Sequence, residues 1–300
     1  MRNLADQECD TLRREYQLER SQLMSEQKTD DIDTIDHPSD RYERGIAILR
    51  QVGGANYDAP IRALQDIAPA LGRFTVEFGY GDVLSRPALG LKTRQLCTVA
   101  ALAALGNAAP QLRYHIHGAR NVGWSPREIV EILILVTVYA GFPAALNSIS
   151  AAREVFEQRG DAPDGTEAFL ESTTAPDRYE QGMRTLERVS GGSGTAVIDS
   201  LKDIAPDLGR FIIEFSYGDV ISRAGLDEKT KELATIAMCT AIGTAQPQLA
   251  VHINAALNVG TTAEEVVETI QQMAVYAGFP AALNGIGIAR KVFTDRTERL

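Results

Sequence analysis

The 300-residue chain predicts an all-α fold made of two tandem copies of one helical bundle. Three observations carry this. The string YAGFPAALN occurs at Tyr139–Asn147 and again at Tyr276–Asn284, an offset of 137 residues. The same offset pairs residues 41–156 with 178–293 without a gap, and roughly half the paired positions are identical. Within each copy apolar residues recur at helical spacing between Gly and Pro stops, and the alternation of half-buried strands is missing. The duplication makes the chain its own two-member comparison.

Residues 1–40 lie outside the repeat. Leu12, Tyr16 and Leu23 form a thin apolar stripe in a charged stretch, so this N-terminal arm reads as a partly disordered segment or as a helix docking on another subunit. The first domain spans 41–156, an acidic linker rich in Gly, Pro and Thr spans 157–177, and the second domain spans 178–300. In the second copy Ile198–Tyr217 contains Pro206 and Gly209 and predicts two short helices. Lys229–Ile242 places Leu233, Ile236, Ala237 and Thr240 at helical spacing and stops at Gly243. Pro247–Val259 is opened by proline and closed by Gly260. Thr262 with Glu265, like Ser125 with Glu128 in the first copy, forms a capping box that starts a third helix. That helix runs to Tyr276, where Gly278 and Pro280 break it, and Ala281–Phe293 makes a fourth. Ile132–Val136 is apolar all round and needs cover on several faces, so the copies are expected to pack together and to oligomerise.

Thirty basic residues face forty acidic ones, a net charge of −10. This disfavours nucleic acid or an anionic membrane as partner and fits a soluble protein handling a small molecule. The N-terminal MRNLADQECD lacks the apolar core of a signal peptide, and the longest apolar run, Ile132–Tyr139, is too short to span a bilayer, so the chain reads as cytoplasmic. Cys9, Cys97 and Cys239 form no CxxC, and Cys97 and Cys239 are not at equivalent repeat positions, which argues against a disulfide framework or a zinc site. No Gly-rich loop leads into a lysine-bearing helix start. The expectation is chemistry with no cofactor: neither metal, nucleotide nor redox-active thiol.

Glu232 and His252 are the candidate catalytic pair. Glu232 shares a helix face with Thr235, Ile236 and Cys239, and desolvation there favours the protonated form a general acid needs. His252 shares its face with Leu249, Ala256 and Val259, where a histidine is either a satisfied core residue or a proton-transfer group. The short GTAQ turn between the two helices favours bringing the pair together. Tyr276 and Asn284 bracket the Gly-Phe-Pro break, and Tyr139 is the counterpart of Tyr276; these read as substrate contacts or, for Asn284, as a cap. Asn254 points elsewhere than His252 and reads as a substrate or subunit contact. Arg86 and Arg223 follow serine at equivalent positions, where each could clamp a substrate carboxylate or form an interface ion pair. The first copy differs: Gln95 stands for Glu232 and His117 for Asn254, while His115 matches His252. Glutamine transfers no proton, so the second copy is expected to be the competent one. His115 and His117 diverge by about 200° on a helix, so they are candidates for substrate binding rather than joint metal ligands.

At these residues the chain resembles a known family. KTKELATIAMCTAIG, PQLAVHINAALNVG, the segment from Thr262 to Ile270 and YAGFPAALN followed by IARKVF are similar to the carboxymuconolactone decarboxylase family, and KTRQLCTVAALAALG with PQLRYHIHGARNVG repeats the match. The resemblance covers about 230 of the 300 residues. It implies an all-helical fold, ring-shaped trimers or hexamers with sites near subunit contacts, and here a trimer imitating a hexamer. It implies a cofactor-independent lyase that decarboxylates an enolisable carboxylated lactone or keto acid, or an isomerase or cyclase using the same acid–base apparatus. The related alkyl hydroperoxide reductase D-like peroxidases keep a glutamate, a CxxC pair and a histidine; Glu232 and His252 match, but GTAQPQL holds no cysteine, which disfavours peroxidase activity. A non-catalytic ligand-binding or scaffold protein is the alternative from another class.

Overall fold

The computed structural model describes residues 38–161, 177–191 and 194–298. The arm up to residue 37 and most of the expected linker, 162–176, lie outside the described residues. The first copy runs as α1 (Pro38–Gly53), α2 (Ala59–Arg62), α3 (Pro69–Phe74) continuing directly into a π-helical segment (Thr75–Leu84), α4 (Leu91–Leu105), α5 (Ala109–Asn121) and α6 (Pro126–Arg159). The second repeats this order: α7 (Arg178–Ser190), α8 (Thr195–Asp199), α9 (Pro206–Phe211) with its π-helical continuation (Ile212–Ile221), α10 (Glu228–Ile242), α11 (Gln246–Asn258), α12 (Ala263–Tyr276) and α13 (Phe279–Thr297). All regular structure among the described residues is helical.

Local sequence explains most boundaries. Ser125 with Glu128 and Thr262 with Glu265 make both reciprocal bonds of a capping box. Gly243 ends α10 in the left-handed region. The repeated YAGFPAALN string is a corner. Gly141 (φ 83, ψ 167) breaks α6, and Gly278 (φ 86, ψ 161) separates α12 from α13. Only glycine takes this conformation without strain. Pro143 and Pro280 follow in the first turn of the next helix segment, where a missing N–H is harmless. Each corner leaves a tyrosine, Tyr139 or Tyr276, at the end of the preceding segment.

The stretch from Ile198 to Tyr217 departs from the expected pair of short helices. Its second helix, α9, widens into the π-helical segment that carries Ser216 and Tyr217. No breaker marks that change, and apolar spacing does not separate an i+5 from an i+4 ladder over so short a run. Gly45 and Gly182 let α1 and α7 lie directly on these segments: a Cβ at either would sit 2.2 or 2.0 Å from the carbonyl oxygen of Val76 or Ile213.

The core is shared between the copies. Leu96 to Ala103 on α4 and Leu233 to Ala241 on α10 are buried without interruption, and the two helices pack on each other. Their Ala-rich faces permit that approach. α6 is long and apolar enough to cross a membrane by length and composition, but Gly141 breaks it, and Ile129, Ile132, Leu133 and Val136 lie in the core. From Tyr42 onward the chain forms one packed unit, so the repeat boundaries divide the sequence and not the packing.

Contacts between copies come in pairs related by the repeat offset. Arg86 bonds Glu268 at 2.7 Å, and Arg223 grips Glu131 with two bonds of 2.7 and 2.8 Å. Phe78 meets Phe279, and Phe142 meets Phe215. His115 meets Tyr276 edge-on, and Tyr139 meets His252 in the same way. If residue i of one copy touches residue j of the other and the reverse also holds, a two-fold axis relates them. The chain therefore contains an approximate internal two-fold, which places one composite site on each side of it.

Candidate functional site

Glu232 on α10 and His252 on α11 are brought together across the short turn between those helices. Glu232 Oε2 lies 2.8 Å from His252 Nδ1, and both side chains are buried. The third member comes from the other copy. Tyr139 Oη lies 3.0 Å from His252 Nε2, with the two rings edge-on at 5.1 Å. Burial, then the Glu232 carboxylate and the Tyr217 phenol, hold Tyr139 well above the usual tyrosine range, so it keeps its proton. Its hydroxyl can donate to Nε2, and Nδ1–H then faces Glu232 Oε2.

This chain of groups ends at a cavity of about 500 Å³. Its wall includes Tyr139, Tyr217 and His252 as polar groups, Ser216 from the π-helical segment, and apolar side chains such as Ile198 and Val251. Glu232 does not line it; its hydrogen bond toward the wall runs through His252. Burial, then the Tyr-side field of Glu232, raises Tyr217. Burial, with Glu232 adding, pushes the Cys239 thiol up to about 12, and burial pushes Cys97 to about 12. Both thiols are held protonated, the opposite of a thiolate nucleophile.

The equivalent position in the first copy has the same frame and different chemistry. His115 Nδ1 lies 2.9 Å from Gln95 Oε1, and Tyr276 stands edge-on to His115. The Gln95 amide nitrogen is buried with no partner among the described residues. Desolvation lowers His115 to about 3. Tyr114, at the position of Val251, packs edge-on against His115, and its hydroxyl reaches the Tyr57 carbonyl at 3.5 Å.

The other sequence candidates do not converge on the cavity. Arg86 and Arg223 pair with Glu268 and Glu131 across the two-fold, so in this geometry they clamp one copy to the other instead of facing a substrate. His117 contacts Gln158 at 3.4 Å and faces a separate surface groove with Asn121 and Arg159. Asn254 donates to the Ala250 carbonyl, accepts from Arg296, and lines another groove with the exposed Asn284. The sequence reading missed Tyr217 and Ser216. The signal for Tyr217 was present, because Tyr80-Gly81-Asp82-Val83 and Tyr217-Gly218-Asp219-Val220 repeat.

Fold and site together are those of a duplicated all-helical protein with a hydrogen-bonded Glu–His–Tyr chain at an apolar cavity. Residues 69–154 and 206–291 each match the carboxymuconolactone decarboxylase family, and the two matches cover more than half of the chain, which belongs to that family. The chain is 36% identical over 119 residues to the 4-carboxymuconolactone decarboxylase of Acinetobacter baylyi, spanning 39% of this chain and 88% of the relative. It is 28% identical over 125 residues to the nitrosuccinic acid decarboxylase of Metarhizium robertsii, 40% of this chain and 85% of the relative. It is 35% identical over 100 residues to an uncharacterized 15.0 kDa protein of Paracoccus denitrificans, 33% of this chain and 75% of the relative. Each match is about the length of one repeat.

Proposed function

We propose that the protein is a decarboxylase acting on an enolisable carboxylated small molecule, a lactone or keto acid, at the Glu232–His252–Tyr139 site. The observation that carries this reading is the hydrogen-bonded chain from Glu232 through His252 to Tyr139, ending at an apolar cavity. Two relatives named as decarboxylases support the reaction class.

The chemistry follows from the groups. The bond between the carboxylate carbon and its neighbour breaks, carbon dioxide leaves, and the electron pair moves into the conjugated carbonyl as an enolate. The substrate's own carbonyl is the electron sink. Tyr139, held protonated, donates to the developing oxyanion. His252 takes a proton from solvent at Nε2, which frees the Tyr139 hydroxyl for the oxyanion, and delivers that proton to carbon while Glu232 holds Nδ1. Glu232 acts through His252 and is a positioning residue. Isomerisation or cyclisation of the same enolate would use the same groups but release no gas. The test is a substrate-depletion screen over unsaturated lactone carboxylates and β- and γ-keto acids, reading carbon dioxide. Gas release above the uncatalysed rate supports the reading; depletion without gas moves it to isomerisation or cyclisation; no depletion leaves ligand binding.

The same reading includes a homo-oligomer, a trimer imitating a hexamer of single-copy subunits. Ile67, Leu71, Phe74, Phe142 and Leu146 are more than half exposed, and so are repeat counterparts such as Ile204, Phe211, Phe279 and Leu283. Apolar surface in two symmetry-related sets supports burial against further copies. A monomeric mass by light scattering at micromolar concentration would contradict it.

A further inference from the structure

The two composite sites share a frame but not a cavity, and the residues responsible are few. Val251 and Gly194 line the second-copy cavity; at the first-copy positions stand Tyr114 and Tyr57. The Tyr114 ring lies against His115 and hydrogen-bonds toward Tyr80 and the Tyr57 backbone, among the counterparts of His252, Tyr217 and Gly194. Its hydroxyl would be 2.6 Å from a Cβ on Gly53, so the first copy also carries a glycine where the second has Ser190. A bulky aromatic therefore occupies in one copy the space left open in the other.

The open space has a definite character. No residue lining it carries a fixed charge; Ile198, Ile212, Ile221 and Val251 are among its apolar members, with Ser200, Ser216 and Gln248 as uncharged polar ones. The cations nearest in sequence pattern, Arg86 and Arg223, are engaged by Glu268 and Glu131. The wall's one basic side chain is the His252 imidazole. A site with room for a drug-sized molecule, no lysine or arginine and a single imidazole matches a monoanion with an apolar body better than a compact polyanion.

We infer that this site takes a monocarboxylate whose carbonyl-bearing head meets His252 and Tyr139 and whose alkyl or aryl body fills the space beside Val251, the residue that sets how large that body can be. This rests on the cavity being the substrate site of the proposed decarboxylase. Binding and turnover are separable, so the two readings fail separately.

The experiment is calorimetric titration of the full-length protein with γ-alkyl-γ-carboxy-butyrolactones, saturated lactones that keep the single carboxylate but lack the alkene that would carry its electrons to the carbonyl, from methyl to hexyl. Each added methylene should tighten binding about three- to fourfold until the cavity is full. Val251→Phe should end that gain at a shorter chain, and Val251→Ala should extend it. Melting temperatures of both variants check that they fold, and the opposite shifts of the two variants cannot come from simple loss of structure. A series flat in chain length, no difference among the three proteins, or tighter binding of a dicarboxylated lactone than of the hexyl compound would overturn the inference. A rising series without carbon dioxide release in the substrate screen would keep the cavity assignment and reject the reaction; release from small polyacids with a flat series would do the reverse.

Discussion

Tyr139 and His252 belong to different copies of the repeat and meet at 3.0 Å. The site is therefore not the property of one copy. The internal two-fold brings the corner tyrosine of the first repeat onto the histidine of the second, and the mirror contact brings Tyr276 onto His115.

Replacing Tyr139 with phenylalanine removes one hydroxyl from the cavity wall. Loss of a donor to a developing oxyanion costs about 10²-fold in kcat. Tyr276→Phe removes the counterpart beside His115 and should leave kcat within about threefold, because Gln95 supplies no acid–base partner there. Steady-state kinetics on both variants checks the pair.

Glu232→Gln gives the second site the residue the first already has. Because Glu232 does not line the cavity, kcat should fall by about 10²-fold while KM stays near its original value. A rise in KM with kcat intact would place Glu232 in direct contact with substrate instead.

His115 makes stability depend on acid pH. Its folded value is about 3, against about 6.5 when unfolded, so below pH 6.5 the unfolded chain binds a proton that the folded chain refuses. Stability is fully present above pH 6.5 and declines as pH falls toward 3, by up to about 1.4 kcal/mol per pH unit from this one group. Urea unfolding at several pH values should show a shallower acid decline in His115→Gln than in the unaltered protein.

Glu268 holds both Arg86 and the fully buried Arg94. Glu268→Ala leaves the Arg94 guanidinium in the core without its anion, which costs about 3–5 kcal/mol. The exposed Arg113–Glu154 pair is the contrast, and Glu154→Ala should leave the denaturant midpoint close to that of the unaltered protein. Denaturant midpoints measure both.

Much of this was legible in the residues. The repeat gave the fold class, and capping boxes and Gly-Pro stops gave the helix limits. The short GTAQ turn between α10 and α11 favoured bringing Glu232 and His252 together. The gapless repeat pointed to an approximate two-fold within the chain, but not to the side chains that cross it: nothing in the sequence says that Tyr139 crosses to His252 instead of serving its own copy. The same blindness left Arg86 and Arg223 as possible carboxylate clamps, when their partners lie 182 and 92 residues away. The plugged first-copy space was written in the Val251–Tyr114 difference, but its meaning depended on the π-helical segment that sets Tyr217 and Tyr80 beside those positions.

The most direct measurement is carbon dioxide release by the unaltered protein, His252→Asn and His115→Asn on a substrate from the lactone and keto-acid screen. The account predicts release by the unaltered protein, a loss of at least about 10²-fold in kcat for His252→Asn, and activity within about threefold for His115→Asn. Loss of activity in His115→Asn with retention in His252→Asn would contradict it.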